Sequence, residues 1–167
     1  MAIILIGFMG AGKTSVGKLL GKKTEKNFID LDYEISKRLQ MPISEFFVEY
    51  GEEKFREIEH ELLLEYHQSS GVISTGGGCI ETVACRELLK QQTQVIYLQA
   101  EFNTLWNRII DDQLNIRPLA QSNESKDLKR IYQKRLEFYE DCAAHTIATD
   151  HLTTEDVVKQ ILQTIDW

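Results

Sequence analysis

A chain of 167 residues with 43% hydrophobic content is long enough to form one domain around its own core, and its two prolines and ten glycines exclude a fibrous or disordered chain. Nineteen basic against 26 acidic residues leave a formal charge of -7, which disfavours non-specific binding to nucleic acid or to anionic membranes. The cysteines Cys79, Cys85 and Cys142 are odd in number and widely spaced, which fits neither a disulfide framework nor a zinc site and points to a reducing, cytoplasmic setting.

Ala2 to Ile6 is a continuous apolar, β-branched run, the pattern of a strand buried on both faces of a parallel sheet. It is far too short to span a bilayer, and no basic leader precedes it. Thr14 to Lys26 follows as a helix with Val16, Leu19 and Leu20 on its apolar stripe. Asn27 to Ile29 is a short second strand ending at Asp30-Leu31-Asp32. Helices are expected over Tyr33 to Leu39, Ile43 to Tyr50 and Glu52 to Tyr66, with Pro42 and Gly51 as punctuation. Gly71 to Ser74 reads as a buried strand closed by Gly76-Gly77-Gly78, then Glu81 to Gln91 as a helix and Thr93 to Leu98 as a strand. Phe102 to Ile110 looks helical, and Asp111 to Ser125, polar and carrying Arg117-Pro118, reads as a long loop. Lys126 to Ala144 is a long helix, Thr146 to Ala148 a strand and Thr154 to Ile165 a closing helix. Strands alternate with helices throughout, so the class is α/β with a mostly parallel sheet in one domain.

Gly7-Phe8-Met9-Gly10-Ala11-Gly12-Lys13-Thr14 satisfies the phosphate-loop pattern with a strand before it and a helix after it. Such glycines let the backbone aim successive N–H groups at phosphate oxygens, and the helix start adds its positive dipole end. Lys13 is expected to reach the β- and γ-phosphates of ATP, and the Thr14 hydroxyl to complete a Mg2+ shell. The motif names the phosphate donor and is silent about the acceptor.

Asp30 and Asp32 stand at the carboxyl edge of the second strand, where open α/β sheets bind ligands. In an extended backbone, residues two apart point the same way. One carboxylate would then serve the metal while the other orients an acceptor hydroxyl, unless Asp32 merely caps the helix beginning at Tyr33. Phe55, Ile58 and Leu62 follow helical spacing and read as core. Arg56 and Glu59, one turn apart, are either an ordinary surface pair or a guanidinium held in place to grip a substrate carboxylate. Arg117 is a candidate for closing over the transferring phosphoryl group, and Arg135 lies on the long helix near Tyr132 and Tyr139. The triplet Gly76-Gly77-Gly78 allows close backbone approach to a ligand. His60, His67, His145 and His151 lack zinc spacing and read as structural or surface residues, and Cys79, beside the triplet, is expected to be open to thiol reagents.

Taken in order, these segments resemble the shikimate kinase family from Ile3 to about Ile165. The resemblance is carried by Leu5 to Lys13, Phe28 to Asp32, Phe46-Phe47 with Gly51 to Glu59, Ser74 to Gly78, Arg117-Pro118-Leu119, and Arg135 to Ala143. It implies ATP- and Mg2+-dependent phosphorylation of the 3-hydroxyl of shikimate, on the route to chorismate and the aromatic amino acids. By position, Gly10, Ala11, Gly12, Lys13, Thr14 and Ser15 would hold the ATP phosphates, with Arg108 beside the adenine and Arg117 on the lid. Asp32, Arg56, Gly77 and Arg135 would hold shikimate, the two arginines taking its carboxylate. Lys13, Asp32 and Arg117 would act in catalysis, and Thr14 with Asp30, through water, would hold the metal. The implied fold is a three-layer sandwich with a five-stranded parallel sheet of order 2-3-1-4-5, of the P-loop, nucleoside monophosphate kinase type. It forms a single kinase domain whose substrate-binding helical segment spans about 33–66 and whose lid loop spans about 111–125. The implied protein is a cytoplasmic monomer with no nucleic-acid or membrane partner. Cys79 departs from the family pattern, as does the order Lys13-Thr14-Ser15, which keeps a hydroxyl at the metal position.

Overall fold

Burial on both faces selects the strands. In the computed structural model, which describes residues 1–111 and 125–165, the apolar runs become β1 (Ile3–Ile6), β2 (Phe28–Asp30), β3 (Val72–Ser74), β4 (Val95–Gln99) and β5 (His145–Ala148). They form one sheet in the order β2-β3-β1-β4-β5, with every neighbouring pair parallel. The central strand β1 aligns Ile4 with Ile73 of β3 and with Val95 of β4. All four of its side chains are buried, as a strand covered by helices on both faces requires.

The helices are α1 (Lys13–Thr24), α2 (Leu31–Leu39), α3 (Ile43–Tyr66), α4 (Val83–Lys90), α5 (Phe102–Asp111), α6 (Ser125–Cys142) and α7 (Thr154–Thr164). The chain leaves β1 toward one edge of the sheet and returns through β3, β4 and β5 in the other direction. Right-handed crossovers therefore put α1 on one face and α3, α4 and α6 on the other. The α1–α7 contact and the α4–α6 contact complete the two outer layers.

The element ends fall within two residues of expectation. Gly51 separates two helical halves of α3 as expected: it takes the non-helical pair φ 81 and ψ 170, open to glycine but strained for other residues, and kinks the helix there. The helix expected from Glu81 begins at Val83, because Cys79–Glu81 forms a separate 3-10 turn tied by the Glu81 N–H to the Gly78 carbonyl at 2.9 Å.

The closing helix α7 starts in a reciprocal capping box. The Thr153 hydroxyl accepts from the Asp156 N–H at 3.2 Å, and the Asp156 carboxylate accepts from the Thr153 N–H at 3.3 Å. Thr153→Ala is expected to lower stability by about 1 kcal/mol in urea unfolding without affecting substrate turnover, since an N-cap is lost and nothing else.

Candidate active site

The carboxyl ends of the strands each deliver one part of the site, as expected for an open parallel sheet. After β1 the phosphate loop turns into α1, whose N-cap is Gly12 at φ 89. No side chain caps this helix, so none competes for its first-turn N–H groups. Lys13 is buried and folds its ammonium back over the loop, donating to the Gly7 carbonyl at 2.7 Å and the Phe8 carbonyl at 3.1 Å. Its charge thus stands inside the cradle that the glycines form. Ala11 is buried, whereas Ser15 is exposed.

After β2 the backbone does not stay extended through Asp32, which corrects the expected geometry. The change from strand to helix falls at Leu31, two residues earlier than expected, because Asp30 serves as N-cap of α2. Asp30 Oδ1 accepts from the N–H groups of Asp32 and Tyr33 at 3.1 and 3.4 Å. Its Oδ2 accepts from the Thr14 hydroxyl at 2.9 Å, linking the second strand to the phosphate loop. Asp32 is therefore not the cap. It occupies the first turn of α2 and is half-buried.

After β3 comes the glycine triplet, and here close approach decides the residue type. A Cβ on Gly76 would lie 2.7 Å from Asp32 Oδ1 and 2.7 Å from Glu59 Oε1. A Cβ on Gly78 would overlap the Arg56 guanidinium, and one on Gly77 would lie 3.3 Å from the Met9 nitrogen of the phosphate loop. The triplet is the floor on which Asp32, Glu59, Arg56 and the loop converge. The Gly77 carbonyl accepts from the Tyr139 hydroxyl of α6 at 2.5 Å.

Arg56 and Glu59 form more than a surface pair. Arg56 Nη1 donates to Glu59 Oε2 at 2.7 Å, its Nη2 donates to Glu52 at 3.1 Å, and Glu59 is fully buried. Glu59 Oε1 has no hydrogen-bond partner among the described residues. Burial pushes the Glu59 carboxyl up from 4.5 to about 7, with Arg56 pulling it down and Asp32 adding to the rise. Burial also works against the charge on Arg56, but Glu59 and then Glu52 outweigh it and hold the guanidinium protonated.

The buried side of this part of α3 thus carries Phe55, Glu59 and Leu62, spaced four and three apart, while Ile58 is only half-buried. Of the three residues expected in the core, Phe55 and Leu62 are buried and Ile58 packs against the core from its edge. The same spacing would have found Glu59, had a carboxylate been allowed on the apolar stripe.

Arg135 on α6 is also buried and carboxylate-bound, with Nε donating to Glu81 Oε1 at 2.7 Å and the guanidinium 5.8 Å from the Phe8 ring. Phe8 therefore borders both the phosphate loop and this arginine. Arg108 on α5 donates to the Thr149 carbonyl at 2.9 Å and the Gly10 carbonyl at 3.4 Å. It lines a cleft of about 200 Å³ with Ala11, Gly12, Ser15, Thr149 and Val157. Arg117 lies outside the described residues, as does the loop expected over about 111–125 apart from its ends, Asp111 of α5 and Ser125 of α6. Cys79, expected to be accessible, is fully buried, and its thiol is raised well above its ordinary range by a hydrogen bond with Cys85 and by burial. It has neither the exposure nor the thiolate character that reactivity needs.

A phosphate loop at a strand–helix junction, with carboxylates and two carboxylate-bound guanidinium groups gathered about a glycine floor, defines a P-loop small-molecule kinase. Residues 9–166 match the model of the shikimate kinase family. A shikimate kinase of Enterococcus faecalis is 43% identical over 97% of this chain and 96% of its own length, and one from Lactococcus lactis subsp. lactis is 44% identical over 96% of each. A solved shikimate kinase from Acinetobacter baumannii, in complex with shikimate, superposes with a TM-score of 0.88 at 35% identity, covering 97% of this chain and 90% of that one. The chain belongs to the shikimate kinase family and is an ATP-dependent kinase.

Proposed function

We propose that this chain transfers the γ-phosphoryl group of ATP to the 3-hydroxyl of shikimate, giving 3-phosphoshikimate and ADP on the route to chorismate. The observation that carries this reading is the pair of carboxylate-tethered guanidinium groups, half-buried Arg56 against Gly78 and buried Arg135 on α6. Fixed guanidinium groups suit a small acid, since a planar fork binds a carboxylate in bidentate fashion.

In this reading Gly10 to Ser15 hold the ATP phosphates, Lys13 turns its ammonium from the loop carbonyls to the β- and γ-phosphates, and Arg108 borders the adenine in the cleft beside Thr149. Arg56 and Arg135 take the substrate carboxylate, with the Gly77 backbone beneath the ring. Asp32 accepts the hydrogen bond of the 3-hydroxyl and orients its oxygen toward the γ-phosphorus, so that transfer is mainly a matter of positioning and charge. By the family resemblance, Arg117 stands over the transferring group.

The residues fit a divalent ion. Thr14 Oγ1 and Asp30 Oδ2, 2.9 Å apart, are the hard oxygen donors that Mg2+ takes. No cluster of three or more metal-ligating side chains exists among the described residues, so the rest of the shell would come from phosphate oxygens and water. Bound there, Mg2+ would neutralise charge on the β- and γ-phosphates. No described helix is long and apolar enough to cross a membrane, and the reading is of a cytoplasmic, monomeric, single-domain enzyme that uses about 33–66 for its substrate and about 111–125 as its lid.

The test is ADP release from Mg-ATP by the purified protein, with shikimate, gluconate and nucleosides offered side by side. Shikimate-dependent turnover that stops on chelation of the metal is the expected result. Turnover on another acceptor, or tight ATP binding with no turnover on any, would overturn it.

A further inference from the structure

Glu81 belongs to no part of the phosphate loop or the acceptor set, yet it is connected to both halves of the carboxylate clamp. Its backbone N–H donates to the carbonyl of Gly78, the glycine packed against the Arg56 guanidinium. Its side chain accepts from Arg135 Nε at 2.7 Å through one oxygen, while the other lies 3.5 Å from Lys134 Nζ. We infer that Glu81 is a positioning residue that sets the separation and orientation of Arg135 relative to Arg56, and so the fit of the clamp to a substrate carboxylate. The inference rests on the clamp reading proposed above.

Three observations support it. The Glu81 backbone is itself fixed from behind, because Arg86 Nη1 donates to the carbonyls of Ile80 and Glu81 at 2.7 and 3.0 Å. Those carbonyls end the 3-10 turn. The Arg86 guanidinium also lies 4.2 Å over the ring of Phe138, three residues past Arg135 on α6. One arginine thus holds both the turn that carries Glu81 and the helix that carries Arg135. Second, Arg135 is buried while Lys134 is mostly exposed, so the Arg135 contact dominates and the Lys134 contact adds little. Third, Glu81 stays ionised. Burial alone would raise its carboxyl, but the hydrogen bond and charge of Arg135, followed by the charges of Lys134 and Arg56, hold it below the ordinary value.

The carboxylate engages Arg135 through Nε, a one-point hold that fixes the plane of the guanidinium. A guanidinium that must meet a carboxylate at fixed geometry loses less freedom on binding when its plane is set beforehand. Glu81 does for Arg135 what Glu59 does for Arg56, from a different element of the fold.

Glu81→Ala is expected to raise KM for shikimate about tenfold, the loss of one charge-assisted hydrogen bond, with KM for ATP nearly unchanged. Glu81→Gln is expected to recover most of the loss, because its amide oxygen still accepts from Arg135 Nε. Heteronuclear NMR supplies a readout independent of turnover: the Arg135 Nε–H signal is expected to be protected from exchange in the native protein and in Glu81→Gln, and lost in Glu81→Ala. An unchanged or lowered KM for shikimate in Glu81→Ala, a glutamine variant no better than alanine, or parallel rises in both KM values with a matching drop in melting temperature would each overturn the assignment. A native protein that shows the protected signal but no shikimate turnover would count against the shikimate reading and leave the positioning of Arg135 by Glu81 supported.

Discussion

Arg56→Ala is expected to lower kcat/KM for shikimate by about two to three orders of magnitude, the cost of removing one partner from a desolvated charge contact. The guanidinium meets Glu59 on one side and Glu52 on another, and what remains of its fork is free of neither charge nor orientation. The loss should appear mainly in KM for shikimate and much less in KM for ATP. Gly78→Ala offers an independent route to the same defect, because the added Cβ would overlap the guanidinium without removing it. If both variants keep near-native KM for shikimate, Arg56 is not part of the acceptor site.

The stability cost of Arg56→Ala depends on pH. Leaving an ionised carboxylate buried without its partner costs about 3–5 kcal/mol. Glu59 escapes part of that cost by taking up a proton, since burial has already pushed it up to about 7, and loss of Arg56 removes what pulls it down. The destabilisation measured in urea should therefore be small at about pH 6 and clearly larger at about pH 8. A pH-independent loss would mean that Glu59 remains ionised throughout.

The sequence makes the donor half of the site more legible than the acceptor half. The phosphate loop is a contiguous pattern between a β-branched run and a helix, so backbone geometry follows from local chemistry. Alternation of elements likewise gives the α/β class, while the strand order comes only from the family resemblance. The acceptor half is built from contacts between distant segments. Asp30 rather than Asp32 becomes the cap because helix formation starts at Leu31, a shift of two residues that composition does not decide. Glu59 is one of several glutamates in an acidic stretch, and only its place between Phe55 and Leu62 on the buried side distinguishes it. Glu81 opens what reads as a helix, and its role depends on a 3-10 turn and on α6, 54 residues away. Glycines 76 and 78 look alike in sequence, but one clears Asp32 and Glu59 while the other clears Arg56.

Glu59→Gln is expected to gain stability at neutral to alkaline pH while losing activity. The folded-state value of Glu59, about 7, lies above its ordinary 4.5. Between those values the folded protein holds a proton that the unfolded chain has released, so stability falls as pH rises through this window and levels off above it. The term is fully favourable below about 4.5 and has been lost by about 7, with a size on the order of 3 kcal/mol at most. Glutamine resembles the protonated acid and does not titrate. The stability of the variant minus that of the native protein should therefore climb from about pH 5 to pH 7 in paired urea unfolding curves, then stay level. Activity should move the other way. A neutral amide holds the Arg56 guanidinium less firmly than a carboxylate does, so KM for shikimate should rise in Glu59→Gln. Native kcat/KM should improve as pH passes through about 7 and Glu59 ionises, an improvement that the variant lacks. A variant that loses stability and activity together at every pH would show that the buried carboxylate is ionised and structural. The opposite trend would show that this buried charge is kept at the expense of stability because it aims Arg56.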